Sequence, residues 1–445
     1  MLIILFLLPI PLGANRAWAW GFFEICIFIL TFFVIIKYRK TKSLGIQSYF
    51  SILYLWIGFI ILASLQVIPL PEGLVSFLSP TSHQHYVNVN SIQFYISIDS
   101  AQSMISFIKL LSFFCLFVCV MALINNEQRL TALIATIMLV GTWQALYGIL
   151  EVILGLHNSI VFNLPTSSSA TGSFVYSHHF ANFITLGLAA ALGLLVSIIE
   201  KSKSEFNKSV LNSSVFPSIN SRIIISICIV IMVLGLIMSH SKIGIISFFA
   251  AIAAVGALVI LIVKKRSKGL QMLIIGFFVI NVIVISVFFG IDKVKDRLID
   301  IPQSNESIDE VIRDAYPIIA DFPVFGSGSG SFYSTFPSYQ IQEVNNFYDH
   351  LHNDYLQFVI EYGLLGAFIL WTLMIFTLYK TLRAMRKRKH AIFKGSAIAC
   401  LIAFVGTGIH MSSDFPLQAY ANACYFVVFM ALAMVINSLK FKSKK

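Results

Sequence analysis

Apolar runs long enough to cross a bilayer recur from one end of the chain to the other, parted by short polar segments. A membrane helix needs about 17 to 25 such residues. The pattern predicts spans at 2–12 (short, with prolines), 18–36, 48–68, 101–124, 129–156, 177–199, 222–239, 243–263, 269–290, 357–379, 393–411 and 418–438. The polar segments alternate in charge. Lys and Arg favour the cytoplasmic side. Of the 31 basic residues, 24 lie in KYRKTK at 37–42, at Arg129, between Lys201 and Arg222, in KKRSK at 264–268, between Lys380 and Lys394, and in the tail from Lys440. Twelve spans with both ends inside fit this alternation. A cleaved signal peptide is the rival reading of the first span, but AWAW after Arg16 is a poor small-residue cleavage site. The chain then divides into residues 1–290 with nine spans, a large exoplasmic loop at 291–355, and 356–445 with three spans and a basic tail.

Composition agrees with an all-α polytopic membrane protein of about 12 transmembrane helices. The 445 residues are 58% hydrophobic and 11% charged, whereas soluble domains carry about 25% charge. The net charge of +11 raises the question of nucleic acid. Its placement answers it: the basic residues mark cytoplasmic loops, and the large outer loop holds 11 acidic residues against four basic ones. That is topology and not a nucleic-acid groove. The six cysteines all fall inside predicted spans, so no disulfide framework is expected, and no Cys/His zinc spacing occurs. No metal and no cofactor is called for.

The candidate chemistry gathers at NNFYDHLHNDYLQFVIEYGLLG, residues 345–366. A helix starting near Asn353 places Asn353, Gln357 and Glu361 on one face. That polar stripe, with Asp354, runs into an apolar span. Two readings stand: a capped helix with an interfacial collar, or a site, since polar groups in a membrane are costly. Upstream, Ser307 to Glu310 matches a capping box and predicts an amphipathic helix over about 308–320, bent at Pro317, carrying Arg313. FPVFGSGSGSF follows and lacks the Lys-Ser/Thr ending of a nucleotide loop, so it reads as a hinge or tight turn. Nine of the ten histidines fall on the outer side, where acid–base capacity therefore collects. Lys109 lies inside a span and needs a partner, with Glu151 and Glu361 as candidates. His410 and Asp414 are expected to order a short turn between spans.

The residues resemble the O-antigen ligase / O-antigen polymerase family of bacterial envelope proteins. The resemblance runs through PLGANRAWAW at 11–20, VIPLPEGLVSFLSP at 67–80, SIDSAQSMISFIKLLSF at 97–113, ATGSFVYSHHFAN at 170–182 and MSHSKIG at 238–244. It is strongest at FPVFGSGSGSF followed by HLHNDYLQFVIEYGLLG, and closes with HMSSDFPL at 410–417.

The resemblance implies a membrane-embedded glycosyltransferase of the inner membrane with its site facing the periplasm. The donor would be an undecaprenyl diphosphate-linked glycan. The acceptor would be lipid A-core in a ligase, another carrier-linked repeat in a polymerase, or a protein hydroxyl in related oligosaccharyltransferases. The family's proposed base matches His352, and its diphosphate-holding arginine matches Arg313. A second family arginine, in a Ser-Arg-Gly hairpin, is replaced by Lys242, which keeps the charge but loses the bidentate fork. Asn353, Asp354, Gln357 and Glu361 would support the histidine, and His178, His179 and Arg16 would line the acceptor or lipid path. Bland roles compete: Arg313 pairing with Asp309 or Asp314, Lys242 at headgroup level, His352 as a helix cap. A solute transporter is the rival class, but the sequence shows no internal repeat, and its polar residues gather at the outer face, not at mid-membrane.

Overall fold

In this computed structural model the described residues are 1–39, 49–156, 158–159, 161–165, 168–201, 221–262, 303–341 and 348–439, with isolated positions between 271 and 279; for 201 and 303–309 only the backbone is described. The fold is all-helical and polytopic. Ten helices among these residues are long and apolar enough to cross a membrane.

The chain opens with a six-residue helix, α1 (Leu2–Leu7). Pro9 and Pro11 follow, and a 3-10 turn occupies Leu12–Ala14. Proline lacks the N–H that a continuing helix needs, so the first predicted span is too short to cross. That corrects the expected span at 2–12. The predicted span at 269–290 lies largely outside the described residues.

The candidate spans are α2 (Ala17–Arg39), α3 (Phe50–Val67), α6 (Ser100–Leu123), α7 (Glu127–Ile153), α8 (Ser177–Lys201), α9 (Ser221–Met238) and α10 (Lys242–Ile262). After the large loop come α13 (Asp354–Lys387), α14 (Ala391–His410) and α15 (Tyr420–Ser438). Two short helices, α4 (Glu72–Leu78) and α5 (Pro80–Asn88), fold between α3 and α6.

Burial orders the bundle. In α15, 89% of the most apolar stretch is buried, and in α8 83%, against 28% in α2 and α9. Helices α8, α14 and α15 therefore form the centre, and α2 and α9 present apolar faces outward. Apolar side chains gain little from helix contact in lipid, so close packing of small residues matters more. At Gly193 of α8, an added Cβ would stand 2.6 Å from the carbonyl oxygen of Gly395 in α14. The two backbones touch there.

Within the large loop, α11 (Gln303–Asp321) starts five residues ahead of the expected 308 and contains Pro317. Val311, Ala315, Ile318 and Phe322 recur at helical spacing and are buried. They pack with Phe332 and Phe336, in and beside the four-residue α12 (Phe332–Thr335), and with Leu351 and Ile360. This satellite core seats the loop on the outer end of α13.

Candidate active site

Helix α13 is broken at Gly363, where φ is +67° and ψ is 179°. A break in a membrane helix orphans backbone groups, which must find partners. The glycine-serine loop supplies them. Ser327 N–H donates to Ile360 O (2.8 Å) and Gly328 N–H to Glu361 O (3.1 Å), while Leu364 N–H donates to Pro323 O (2.8 Å). Gln66 joins the two: its Nε2 donates to Phe325 O and Glu361 O, and its Oε1 accepts from Ser329 N–H. A Cβ on Gly363 would lie 2.2 Å from Val324 O, and one on Gly326 2.4 Å from Glu361 O. Ser327, Ser329 and Ser331 are fully buried. Of the two expectations for this loop, hinge or tight turn, the structure shows the turn, docked so that it locks the kink.

At the start of α13, Asn353 caps the helix through Oδ1, which accepts from Leu356 N–H at 3.1 Å, and its Nδ2 donates to Ser412 O. Asp354 is buried and grips the turn between α14 and α15. It accepts from Leu417 N–H (2.9 Å) and Gln418 Nε2 (3.2 Å), and its own N–H reaches Met411 O and Asp414 O. This turn carries Asp414 and Phe415 under the histidines.

Asp414 is 1% exposed. Its Oδ2 lies 3.4 Å from both His178 Nδ1 and His410 Nε2, its Oδ1 lies 3.6 Å from His352 Nδ1, and Oδ1 accepts the Phe415 N–H at 2.9 Å. Burial raises the carboxyl's pKa. Bonds with His352 and His410 and the positive potential of His410 and His178 outweigh it, and hold the group well below the usual carboxylate range. His352 has φ +56°, a left-handed conformation that a non-glycine residue adopts at a cost. The strain turns its ring onto Asp414 and edge-on to Phe415, with centroids 4.8 Å apart.

His350 is held differently. Leu351 N–H donates to Gln357 Oε1, which orients that amide. Gln357 Nε2 then donates to His350 Nδ1 (3.0 Å) and Glu361 Oε1 (2.8 Å). Burial pushes the His350 imidazole below its ordinary value, against the opposing pull of Asp349. The two rings therefore favour opposite tautomers. His350 accepts at Nδ1 and keeps its proton on Nε2. His352 faces a carboxylate at Nδ1, which favours the proton there and leaves Nε2 as a lone pair.

Beside this cluster lies a cavity of about 420 Å³. Its polar end is lined by Arg16, Lys109, Asp349, His350, Glu361 and Gln418, and its apolar end includes Leu373, Met374, Phe426 and Met430. Lys109 sits 3.6 Å above the Trp20 ring centroid and interacts electrostatically with Glu24 and Glu361. A cavity with two cations at its mouth and an apolar floor suits an anionic lipid head on an apolar tail.

Comparison with known protein families finds that residues 227–371 match the family described as O-antigen ligase. That stretch holds α10, the large loop and the outer half of α13. No curated protein matches the chain. The family match supports a glycan-transfer role in O-antigen processing, an enzyme of glycosyltransferase type, and a multi-pass inner-membrane protein using a lipid-linked donor and a lipid acceptor.

The residues expected from the ligase resemblance are only partly brought together. His352, Asn353, Asp354, Gln357 and Glu361 converge with His350. His178 joins them through Asp414, and its Nδ1 also meets Ser241 Oγ at 3.0 Å. Arg16 lines the cavity. His179 is buried against Phe415, centroids 5.0 Å apart, and belongs to the packing. Arg313 points outward with its side chain 58% exposed, 3.3 Å from Asp314. Lys242 is exposed at the start of α10. Neither lines the cavity.

Asp414 was expected to order a turn; it does, and it is also the hub of three imidazoles. His410 is a local partner, but nothing local signals the other two, which come from α8 and the loop before α13. His178, His410 and Asp414 offer ligand atoms within 4.8 Å of one another, a donor set that suits a divalent cation. However, a metal-bound imidazole normally donates its second N–H, and His410 Nδ1 is buried without a hydrogen-bond partner. Imidazoles donating to one carboxylate fit these atoms better.

Proposed function

We propose that the chain transfers a glycan from an undecaprenyl diphosphate carrier to an acceptor hydroxyl at the periplasmic face, with ligation to lipid A-core as the first reading. The observation that carries this is the pair of histidines held in opposite tautomers beside a cavity with Arg16 and Lys109 at its polar end and an apolar far end. His352 Nε2 takes the proton of the attacking hydroxyl. Asp414 holds the ring in that tautomer and stabilises the imidazolium as it forms. His350, which lines the cavity, donates its Nε2–H to the departing diphosphate. Arg16 and Lys109 counter the charge that the diphosphate carries away as the glycosidic C–O bond breaks. Arg313 and Lys242, the donor contacts that the resemblance implies, lie outside the cavity. The proton passes from the acceptor hydroxyl to His352, and the electron pair of the broken bond leaves on the diphosphate. These steps run on the chain's own residues.

A repeat-unit polymerase is the second reading, because carrier-linked acceptors would use the same base and the same cations. The surface polysaccharide of a strain lacking this protein separates the two. Loss of all attached glycan supports ligation. Attachment of a single repeat supports polymerisation. An unchanged surface polysaccharide would overturn both.

A further inference from the structure

The cavity ends too soon for its occupant. Its apolar lining reaches Met374, eleven positions past the Gly363 break, and Met430, ten positions past Tyr420. At a rise of about 1.5 Å per residue, they lie ~15 Å beyond the Gly363 break and the start of α15. The hydrocarbon core is about 30 Å thick, so the floor is near mid-membrane. A polyprenyl chain of many isoprene units must leave a space one leaflet deep.

Behind that floor lies a second, mostly apolar hollow of about 310 Å³, on the other side of the seam between α13 and α15. Trp371, Ile375 and Phe404 line it, and Ile375 is 65% exposed on the outer surface of the bundle. Met374, Phe426 and Met430 line both spaces. Three side chains therefore make the partition, and two are methionines, unbranched and able to change rotamer at low cost. The other flank of the cavity is more firmly closed: Phe59 of α3 packs on Tyr362 with centroids 4.9 Å apart, and Leu62 packs at Gly366.

We propose that the distal isoprenoid chain of the lipid donor passes between α13 and α15 by displacing Met374 and Met430, and lies in the Trp371–Ile375–Phe404 hollow before entering the bilayer. This rests on the reading of the cavity as the donor site. The head of the lipid would then be held from one side of α13 while its tail leaves on the other, so the donor straddles the helix that carries the catalytic residues.

The test uses the full-length protein in vesicles and two forms of an undecaprenyl diphosphate-linked glycan. One carries a diazirine on the first isoprene unit, the other on the last. After photolysis, the labelled peptides are mapped. The first probe is expected on cavity residues of α6, α13 or α15. The last-unit probe is expected on Trp371, Ile375 or Phe404, with that labelling lost in Phe404→Trp, which fills the hollow. If the first probe labels the cavity and the last labels α2, α3 or α6 instead, the exit path is wrong and the donor site stands. If the first probe labels nothing in the cavity, the donor reading itself fails, and this inference falls with it.

Discussion

Replacing Asp414 by Asn keeps the size of a side chain that is 1% exposed. The amide can still accept the Phe415 N–H that now bonds Oδ1 at 2.9 Å. It cannot do the rest. An NH2 group would stand where Oδ2 faces His178 and His410 at 3.4 Å, and the charge that His352 Nδ1 meets at 3.6 Å would be gone. Hydrogen bonds to charged groups contribute about 1.5–3 kcal/mol. At 3.6 Å the contact is longer than a hydrogen bond, so the lower end is a ceiling and the bias toward the productive tautomer falls by up to about tenfold. Loss of imidazolium stabilisation in the transition state costs a further factor of similar size. The expected result is a kcat lower by up to ~10²-fold, the low end of general-base effects, with KM for the donor little changed because Asp414 does not line the cavity. The assay is transfer from purified carrier-linked glycan in reconstituted vesicles. A second readout is pH. A carboxyl held below its unfolded value contributes stability that is fully present above about pH 4, the ordinary carboxylate range, and is lost as pH falls through its depressed value. The melting temperature of the native protein should drop on that acid side, and Asp414→Asn should lack this component. Wild-type kcat in a folded Asp414→Asn protein would refute the reasoning.

Three further outcomes are expected. Lys109→Met and Arg16→Gln should each raise KM for the lipid donor, by about ten- to hundredfold where a charge-assisted contact is lost, as read in the same vesicle assay; unchanged KM in both would remove them from the donor site. Gly363→Ala puts a side chain at φ +67°, 2.2 Å from Val324 O; it should lower stability by at least ~2 kcal/mol, seen as reduced melting temperature in detergent, and a neutral result would mean that the docked loop does not lock the kink. A cysteine at exposed Ser338 should react with a membrane-impermeant thiol reagent in intact cells with a permeabilised outer membrane; reaction only after inner-membrane lysis would invert the topology.

Much of the fold is legible in the sequence because the membrane imposes it. Apolar length sets each span and Lys/Arg placement sets its direction, so nine of the spans stand within a few residues of the helices α2, α3, α6–α9, α10, α14 and α15, and the span expected at 357–379 lies within α13. The failure at 2–12 is equally local: Pro9 and Pro11 stop the helix. The shared face of Asn353, Gln357 and Glu361 was readable from periodicity alone; the Gln357–Glu361 bond comes from the structure. What the sequence hides is long-range. Asp414 meets His178 and His352 across 236 and 62 positions, and the tautomer of His350 depends on which way an amide points. The role of the glycine-serine loop was hidden for the same reason: its partners are the orphaned carbonyls of a kink at Gly363 that no pattern of apolar residues marks. Arg313 shows the reverse. Its isolation in an acidic loop made it conspicuous, yet its side chain points away from the cavity, on the face opposite Val311 and Ala315.

The central claim is that His352 Nε2 accepts the acceptor's proton while His350 serves the leaving group. The most direct measurement compares single-turnover transfer by His352→Ala and His350→Ala in vesicles loaded with carrier-linked glycan and acceptor, with folding and donor binding checked for each. His352→Ala should lose about 10²–10⁴-fold in rate with donor binding intact, and His350→Ala should lose much less. Near-normal turnover by a folded His352→Ala protein, or a larger loss in His350→Ala, would contradict the assignment.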